Sequence, residues 1–231
     1  MRRLTLATAA LVLAGLLAPA TSFAQQSINF YVGGFVPKSA DARDTSDVLW
    51  NNLDFLSFDV KDFNSGTAGV EYLVGLSDHL EAGLGVGIYS RSVQSVYAKY
   101  VNSNGSEIEQ TMKLRQVPFT ATVRFLPFGR TARVEPYVGA GVSVINWRYT
   151  ESGQFVDFAD GSIFRDTFPA KGTATGPTVL GGLRVPLGAA DIGFEARWQR
   201  ASGGLPAADG FAGDTLDLGG MNYLATFRVR F

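Results

Sequence analysis

The chain has 231 residues, of which 46% are hydrophobic and 18% are charged, with 27 glycines, one histidine and no cysteine. The hydrophobic content excludes an intrinsically disordered chain, and the lack of cysteine excludes a disulfide scaffold, a thiolate metal site and a cysteine nucleophile. The formal net charge of −1 gives no indication of nucleic-acid binding.

The first segment has the pattern of a secretory signal peptide. Two arginines precede an apolar run over residues 4–19, and small residues stand at the two positions that a signal peptidase reads. We expect cleavage after Ala24, which gives a signal peptide at 1–24 and a single β-barrel domain at 25–231. An uncleaved membrane anchor is the alternative, and the shortness of the apolar run disfavours it.

The rest of the chain alternates apolar and polar residues with a period of two, which is typical of β-strands with one apolar face. The last segment is the clearest, because Tyr223, Phe227 and Phe231 alternate with polar residues that include two arginines. Eight such segments occur, at residues 28–36, 68–74, 80–88, 117–125, 134–142, 179–185, 192–198 and 221–231.

The connections between these segments are alternately long and short. Short turns are predicted near 76–79, 129–133 and 187–190, and long connections near 37–65, 90–116, 146–177 and 200–218. This plan predicts an all-β fold, an eight-stranded antiparallel transmembrane β-barrel with extended outer hairpin loops. Both termini are expected on the side of the short turns.

Two dipeptides predict how neighbouring strands pair. Asn104-Gly105 and Asp160-Gly161 are typical of two-residue hairpin tips. With these tips as hairpin centres, the apolar face of each strand meets the apolar face of its neighbour, whereas a one-residue slip would place apolar beside polar residues. The predicted pairs are Val86 with Val123 and Val142 with Val179.

The polar face predicts a charged lumen. It carries equal numbers of acidic and arginine side chains, separated by many glycines that leave room for them, and balanced charges can neutralise one another in an enclosed space. A soluble barrel, which inverts the alternation, is the alternative. The predicted lumen network consists of Glu71, Glu81, Arg124, Glu135, Arg184, Glu195, Arg197, Arg228 and Arg230, with Asp191 on the same face.

Beyond the predicted membrane span, the inward face turns apolar and the outward face turns polar, with Lys113, Arg115 and Arg148 on the outside. We therefore expect the strands to project past the bilayer around an apolar interior. That interior is either a packed loop core or a vestibule for a small hydrophobic ligand. Its predicted members are Tyr97, Met112, Trp147, Tyr149, Phe164 and Phe168.

We predict no catalytic residues, no cofactor and no metal ion. His79 is the one imidazole, and it lies in a predicted short turn, at the opposite end from the long loops. Aspartates crowd the first long loop, where oxygen ligands could bind Ca²⁺ or Mg²⁺, but their spacing matches no EF-hand loop and a solvated acidic loop is the simpler interpretation. These aspartates are Asp41, Asp44, Asp47, Asp54, Asp59 and Asp62.

The signal pattern, the eight alternating strands, the segment Pro136-Tyr137-Val138-Gly139-Ala140-Gly141 and terminal Phe231 resemble Gram-negative outer-membrane β-barrels of the OmpA-transmembrane-domain, OmpX and OmpW type. The resemblance implies a bacterial outer-membrane location and contact with membrane lipid and lipopolysaccharide. It also implies assembly by the barrel-assembly machinery, with Tyr223, Phe227 and Phe231 as the signal.

Eight strands leave an interior that side chains can fill, so we expect a structural or surface-interaction role with a closed lumen and no enzymatic activity. The alternative is OmpW-like binding or passage of small hydrophobic molecules through an apolar extracellular vestibule.

Overall fold

The computed structural model describes residues 26–206 and 210–231, so the predicted signal peptide at 1–24 lies outside the described residues. In these ranges one short α-helix, α1 (Val48–Asn52), and two 3-10 helices, Ala40–Ala42 and Val60–Phe63, lie among the strands. Within the described ranges, no helix is long and apolar enough to cross a membrane. The strands are β1 (Gln26–Pro37), β2 (Leu56–Ser57), β3 (Ser65–Gly75), β4 (Leu80–Val101), β5 (Glu107–Phe125), β6 (Glu135–Val156), β7 (Ile163–Leu187), β8 (Ala190–Gln199), β9 (Ser202–Gly204), β10 (Thr215–Asp217) and β11 (Gly220–Arg230).

Eight of these strands form a closed ring. Their order is β4-β3-β1-β11-β8-β7-β6-β5, and β5 pairs with β4 to complete the ring. Every pairing in the ring is antiparallel. The three remaining strands are short and belong to connections, since β2 adds to β4 and β9 pairs with β10. The predicted fold class, an eight-stranded antiparallel barrel, is confirmed.

The two ends of the barrel differ in the length of their connections. Short turns join β3 to β4, β5 to β6 and β7 to β8, whereas the opposite end carries a first loop (38–64) and a last loop (200–219). Strands β4 to β7 are 19–25 residues long, and the other four ring strands have 10–12 residues. The long strands therefore project beyond the ring as one wall, and the first and last loops lie on the other side.

The outside of the ring is an apolar belt. Along β5, Phe119 and Val123 point outward and are about half exposed, whereas Thr120 and Thr122 between them are buried. The other strands repeat this alternation, as period two requires. Exposed members of the belt include Phe30, Val32, Val70, Tyr72, Leu84, Ile88, Val138, Val142, Val179, Leu183, Ile192, Phe194, Tyr223 and Phe227.

The predicted register between β4 and β5 is wrong in its pairs. Val123 pairs with Ala82, four residues from Val86, and Val86 pairs with Phe119. The cause lies near the tip, where the register shifts between Val96 and Val101. There β4 also receives β2, because Leu56 pairs with Tyr97. An even displacement keeps each side chain on its predicted face, so only the partners change.

The predicted register between β6 and β7 is also wrong in its pairs, by two residues. Val179 pairs with Ala140 and Val142 pairs with Pro177. The connection is a six-residue loop rather than a two-residue tip, since the amide of Asp157 donates to the carbonyl of Ser162 at 2.8 Å. Gly161 has φ 74°, which places the left-handed residue near the end of this loop.

Candidate functional site

The end of the lumen beside the short turns contains a group of paired charges, which we call the lower cluster. The guanidinium of Arg228 donates to Glu81 at 2.7 Å and to Glu135 at 3.0 Å, and it also pairs with Asp191. Arg184 donates to the same two glutamates, at 2.8 Å and 3.1 Å. With Arg230 on Asp191 at 2.5 Å, three carboxylates balance three guanidiniums, so the cluster is neutral. Its members are Glu81, Glu135, Arg184, Asp191, Arg228 and Arg230.

A second neutral group, the upper cluster, lies further along the lumen. Arg124 donates to Glu71 at 2.5 Å and to Glu195 at 2.9 Å. Arg197 contacts the same two carboxylates, at 3.5 Å and 2.6 Å. All four side chains are at most 5% exposed, so each charge is compensated within the barrel rather than by water.

An aromatic ring connects the two clusters. The Tyr137 ring lies between the guanidiniums of Arg124, at 5.1 Å, and Arg184, at 4.9 Å, a cation–π geometry. Its hydroxyl donates to Glu195 at 3.0 Å. The structure thus brings all nine residues predicted for the lumen network into two linked groups, together with Asp191.

Glycines provide the space that these long side chains occupy. A Cβ on Gly83 would lie 2.8 Å from Leu73 Cδ2 and 2.9 Å from Thr122 Oγ1, and a Cβ on Gly182 would lie 2.6 Å from the Tyr137 hydroxyl. Real Cβ atoms do not approach neighbours this closely. The side chains of Leu73, Thr122 and Tyr137 therefore occupy the space beside these two glycines inside the ring.

Above the belt the interior changes to an apolar cluster, which we call the loop core. Four of the six residues predicted there belong to it: Tyr97, Met112, Trp147 and Tyr149, each at most 6% exposed. They come from the projecting parts of β4, β5 and β6. The first loop contributes Val48, Leu49, Leu56 and Phe63, and the last loop contributes Leu205, Leu216 and Leu218.

The other two predicted members do not join the loop core. Phe164 is 41% exposed and stacks on Phe155, with ring centroids 5.7 Å apart, and Phe168 packs edge-on against Phe155 at 4.8 Å. The reason is length, because β6 and β7 pair as far as Val156 with Ile163. Strand β8 accompanies β7 only as far as Thr178, so Phe164 and Phe168 lie on a part of β7 that has lost this neighbour.

A buried polar group inside the loop core was not predicted. Glu151 accepts hydrogen bonds from Asn52 Nδ2 at 2.7 Å, from the Tyr149 hydroxyl at 2.7 Å and from Gln110 Nε2 at 3.0 Å. All these donors are neutral, and burial raises the pKa of the Glu151 carboxyl above its ordinary value. The available signal was strand alternation, which places residue 151 on the inward face with Trp147 and Tyr149.

An ion pair and a backbone hydrogen bond connect the first loop to the last loop. Arg43 donates to both carboxylate oxygens of Asp47, at 2.9 Å and 3.0 Å, and both side chains are at most 1% exposed. Asp47 also accepts from the backbone amide of Asp217 at 2.6 Å, and Lys38 pairs with the Asp217 carboxylate at 3.0 Å. These contacts hold the two loops together across the mouth of the barrel.

Several aspartates of the acidic loop have structural roles. Asp47 caps α1 by accepting from the amides of Leu49 and Trp50. Asp59 and Asp62 form a capping box on the second 3-10 helix. In the part of the chain that the structure describes, no group of three or more acidic or histidine side chains could hold a metal ion.

The remaining sequence candidates lie on the outside of the barrel. His79 is exposed in the turn between β3 and β4, and its ring stacks on Phe125 with centroids 6.4 Å apart. Tyr223, Phe227 and Phe231, the predicted assembly signal, are 47%, 47% and 64% exposed at the C-terminal end. His79 is thus at the opposite end of the barrel from the loop core.

No family model matches the chain, and no curated protein sequence matches it significantly. Similar solved structures include the N-terminal β-barrel domain of Pseudomonas aeruginosa OprF, at 12% identity over 90% of this chain and 99% of that chain, with a TM-score of 0.44. Neisserial surface protein A is 14% identical over 90% and 97% of the two chains, with a TM-score of 0.48. Ail, the attachment invasion locus protein of Yersinia pestis, is 14% identical over 90% and 99%, with a TM-score of 0.43.

The two faces of the barrel decide where it resides. A soluble barrel would present its charged side chains to water, whereas here the ten charges of the two clusters point inward and the outer belt is aliphatic and aromatic. A closed ring also leaves no strand edge exposed to lipid. An even number of antiparallel strands with short turns at one end and long hairpins at the other is the plan of bacterial outer-membrane barrels. The chain is an eight-stranded β-barrel of the bacterial outer membrane.

Proposed function

We propose that this barrel has a structural or surface-interaction role and passes no solute through its interior. The observation that carries the proposal is the insertion of the first loop into the mouth of the barrel. There Asn52, in α1, donates to Glu151 on β6 and is fully buried. The interior is filled below this contact by the charge clusters and around it by the loop core.

The closure has a local cause in the sequence. Asp47 starts α1, and the helix directs Val48 and Leu49 into the loop core, where neither is exposed. Leu216 and Leu218 of the last loop are buried in the same cluster. Opening a passage would therefore expose apolar side chains to water, at a cost of roughly 1.5–3 kcal/mol for each large one.

The surface-interaction role has its own support at the outer end. Phe158 is 60% exposed and Tyr100 is 43% exposed, and their rings pack together with centroids 5.9 Å apart. Phe55 of the first loop joins them, 5.7 Å from Phe158. Exposed aromatic groups on a rigid support are typical of contact surfaces. We propose that this aromatic tip contacts a partner outside the cell.

One observation favours an alternative, the binding or passage of small hydrophobic molecules. Phe55, Phe58 and Phe211 are only partly buried, and they pack on the outside of the loop core. They lie on the first and last loops, so a movement of these loops would lead an apolar molecule directly to the core. In that case the aromatic interior serves as a vestibule rather than as packing.

Reconstitution in lipid vesicles separates the two functions. We expect the folded wild-type barrel to show no single-channel conductance and no alkane uptake above protein-free vesicles, and its tryptophan fluorescence to show no saturable change with fatty acid. The Trp147→Ala variant should lose protease resistance in its loops, because a buried ring is removed from the loop core, without a change in uptake. Alkane uptake by the wild type that Trp147→Ala reduces would instead establish the vestibule.

The remaining expectations complete the proposal. We propose no enzymatic activity and no cofactor, contact with outer-membrane lipid and lipopolysaccharide, and insertion by the barrel-assembly machinery. The last is supported by the aromatic side chains of Tyr223, Phe227 and Phe231, which are free on the outer surface for recognition.

A further inference from the structure

Three basic side chains stand side by side on the outside of the projecting wall. Arg115 of β5 pairs in register with Arg148 of β6, and Arg148 pairs with Lys171 of β7. Lys113 lies two residues from Arg115 on the same strand, so it is on the same face. All four side chains are exposed. We call this group the basic row.

The basic row lacks the acidic partners that would make it an ordinary surface ion-pair network. Among the described residues, none of its four members lies within ion-pair distance of a carboxylate. Its neighbours in register are uncharged, with Ser90 opposite Arg115 and Thr150 opposite Lys113. Like charges placed directly opposite each other destabilise a sheet, so the row does not serve to stabilise the fold.

The position of the row connects it to the membrane. On β5 the outward side chains are apolar from Phe125 to Val117, and Arg115 is the next one in that direction. A surface groove of about 640 Å³ spans the boundary between the apolar belt and the basic row. Its lining includes Val117 and Phe119 from the belt and Arg115, Arg148 and Lys171 from the row. A ligand in this groove contacts apolar side chains at one end and cations at the other.

We propose that this groove binds a phosphate-bearing lipid of the outer leaflet, with lipopolysaccharide as the occupant. The phosphates lie on the basic row and an acyl chain lies along Val117 and Phe119. Arginine suits this task because its planar guanidinium binds phosphate through two parallel hydrogen bonds. Asn146, which lines the same groove, adds an uncharged polar side chain.

A membrane lipid fits the site better than a soluble polyanion does. The cations begin where the apolar belt ends, and a polysaccharide in solution would gain nothing from Val117 and Phe119. The charge and the apolar surface are complementary to the two ends of a single amphiphile. This site rests on the contact with lipopolysaccharide proposed above, and it can be occupied whether the interior of the barrel is open or closed.

The test measures lipid retention by native mass spectrometry. The full-length barrel is extracted from phosphatidylcholine vesicles that contain bisphosphorylated lipid A, and the fraction of protein carrying lipid A is counted. The variant Arg115→Gln/Arg148→Gln/Lys171→Gln should retain about tenfold less, since each basic residue near a charged surface contributes appreciably to binding. Lipid A without phosphates should be retained weakly by the wild type.

A matched control removes the same number of charges elsewhere. Lys61, Lys99 and Arg165 are exposed and lie outside the groove, so Lys61→Gln/Lys99→Gln/Arg165→Gln should retain lipid A as the wild type does. The heat-dependent electrophoretic mobility of both variants shows that they are folded. Equal retention by the basic-row variant and the wild type, equal losses in both variants, or preferential binding of a sulfated polysaccharide over lipid A would each overturn the proposal.

Discussion

The interior of this barrel has two regions of opposite chemistry that share strands β4, β5 and β6. Inside the apolar belt the inward side chains are charged, and above it they are aliphatic and aromatic. The inward positions are set by the same alternation in both regions, and what differs is the surroundings of the outer face. Lipid requires an apolar outside and leaves polar groups to the lumen, whereas water permits a polar outside, so burial of apolar side chains can stabilise the interior.

Both regions contain buried carboxyl groups, and the neighbours of these groups differ. In the lumen, every carboxylate of the two clusters faces a guanidinium, so the charges are neutralised in place. In the loop core, Glu151 is a carboxyl surrounded by neutral donors. The contrast therefore predicts that removing a charge should destabilise the fold in the lumen and stabilise it in the loop core.

The largest effect is expected in the lumen. Arg124→Leu leaves Glu71 and Glu195 with one guanidinium, Arg197, between them, and breaking a buried ion pair costs about 3–5 kcal/mol of folding free energy. Arg230→Leu should cost less, because its side chain is 15% exposed and Asp191 still pairs with Arg228. Urea unfolding in lipid vesicles measures both variants. Equal urea midpoints for Arg124→Leu and Arg230→Leu would contradict the central role of Arg124 in the upper cluster.

Much of the lumen could be predicted from the sequence because strand alternation has a fixed period. Once a strand is recognised, the face of Glu71 or Arg124 follows, and charges on inward faces of a narrow barrel must meet. Which residues stand opposite each other on neighbouring strands could not be predicted, because the register depends on the lengths of the turns and on bulges. Three extra residues of β4 near Tyr97, where β2 joins, and a tip that pairs one residue earlier than predicted together move the partner of Val86 from Val123 to Phe119.

The insertion of α1 into the mouth of the barrel could not be predicted. The helix α1 has only five residues, VLWNN, which is too short for a periodic pattern to show its buried face. Its position depends on partners distant in the chain, such as Glu151 for Asn52 and Asp217 for Asp47. Tertiary contacts of this kind leave no local signal. The exclusion of Phe164 and Phe168 has the same origin, since it follows from where β8 ends beside β7.

A smaller effect is expected on the outer surface. Val142 lies in the apolar belt on β6 and is 53% exposed, so Val142→Arg should cost about 2–4 kcal/mol, the cost of arginine near the bilayer midplane. Gln94→Arg is the matched control, because Gln94 is exposed on β4 beyond the belt and an arginine there faces water. Folding titrations in bilayers compare the two. Similar costs would mean that the belt does not face lipid.

The smallest effect concerns Glu151, where removing a charge should stabilise. Its folded pKa is raised by burial above the ordinary value of 4.5, so its contribution to loop stability is complete below that value and is lost as the pH rises through the raised pKa. Each pKa unit between the folded and unfolded states is worth about 1.4 kcal/mol. Hydrogen exchange of the loop-core amides should therefore slow when the pH falls from about 8 to about 5, after correction for intrinsic rates.

Glu151→Gln removes the charge and keeps the hydrogen bonds. Its amide oxygen can accept from Asn52 and Tyr149 as the carboxylate does, and its new amide nitrogen needs an acceptor where Gln110 Nε2 now donates. A half-turn of the Gln110 amide supplies one, because Gln110 Oε1 is buried and has no other partner among the described residues. The variant should stabilise the loop core near neutral pH by on the order of 1 kcal/mol and should abolish the pH dependence. Glu151→Ala, which removes the acceptors as well, should destabilise the core at every pH, so a pH slope that survives in Glu151→Gln would assign the titration to another group.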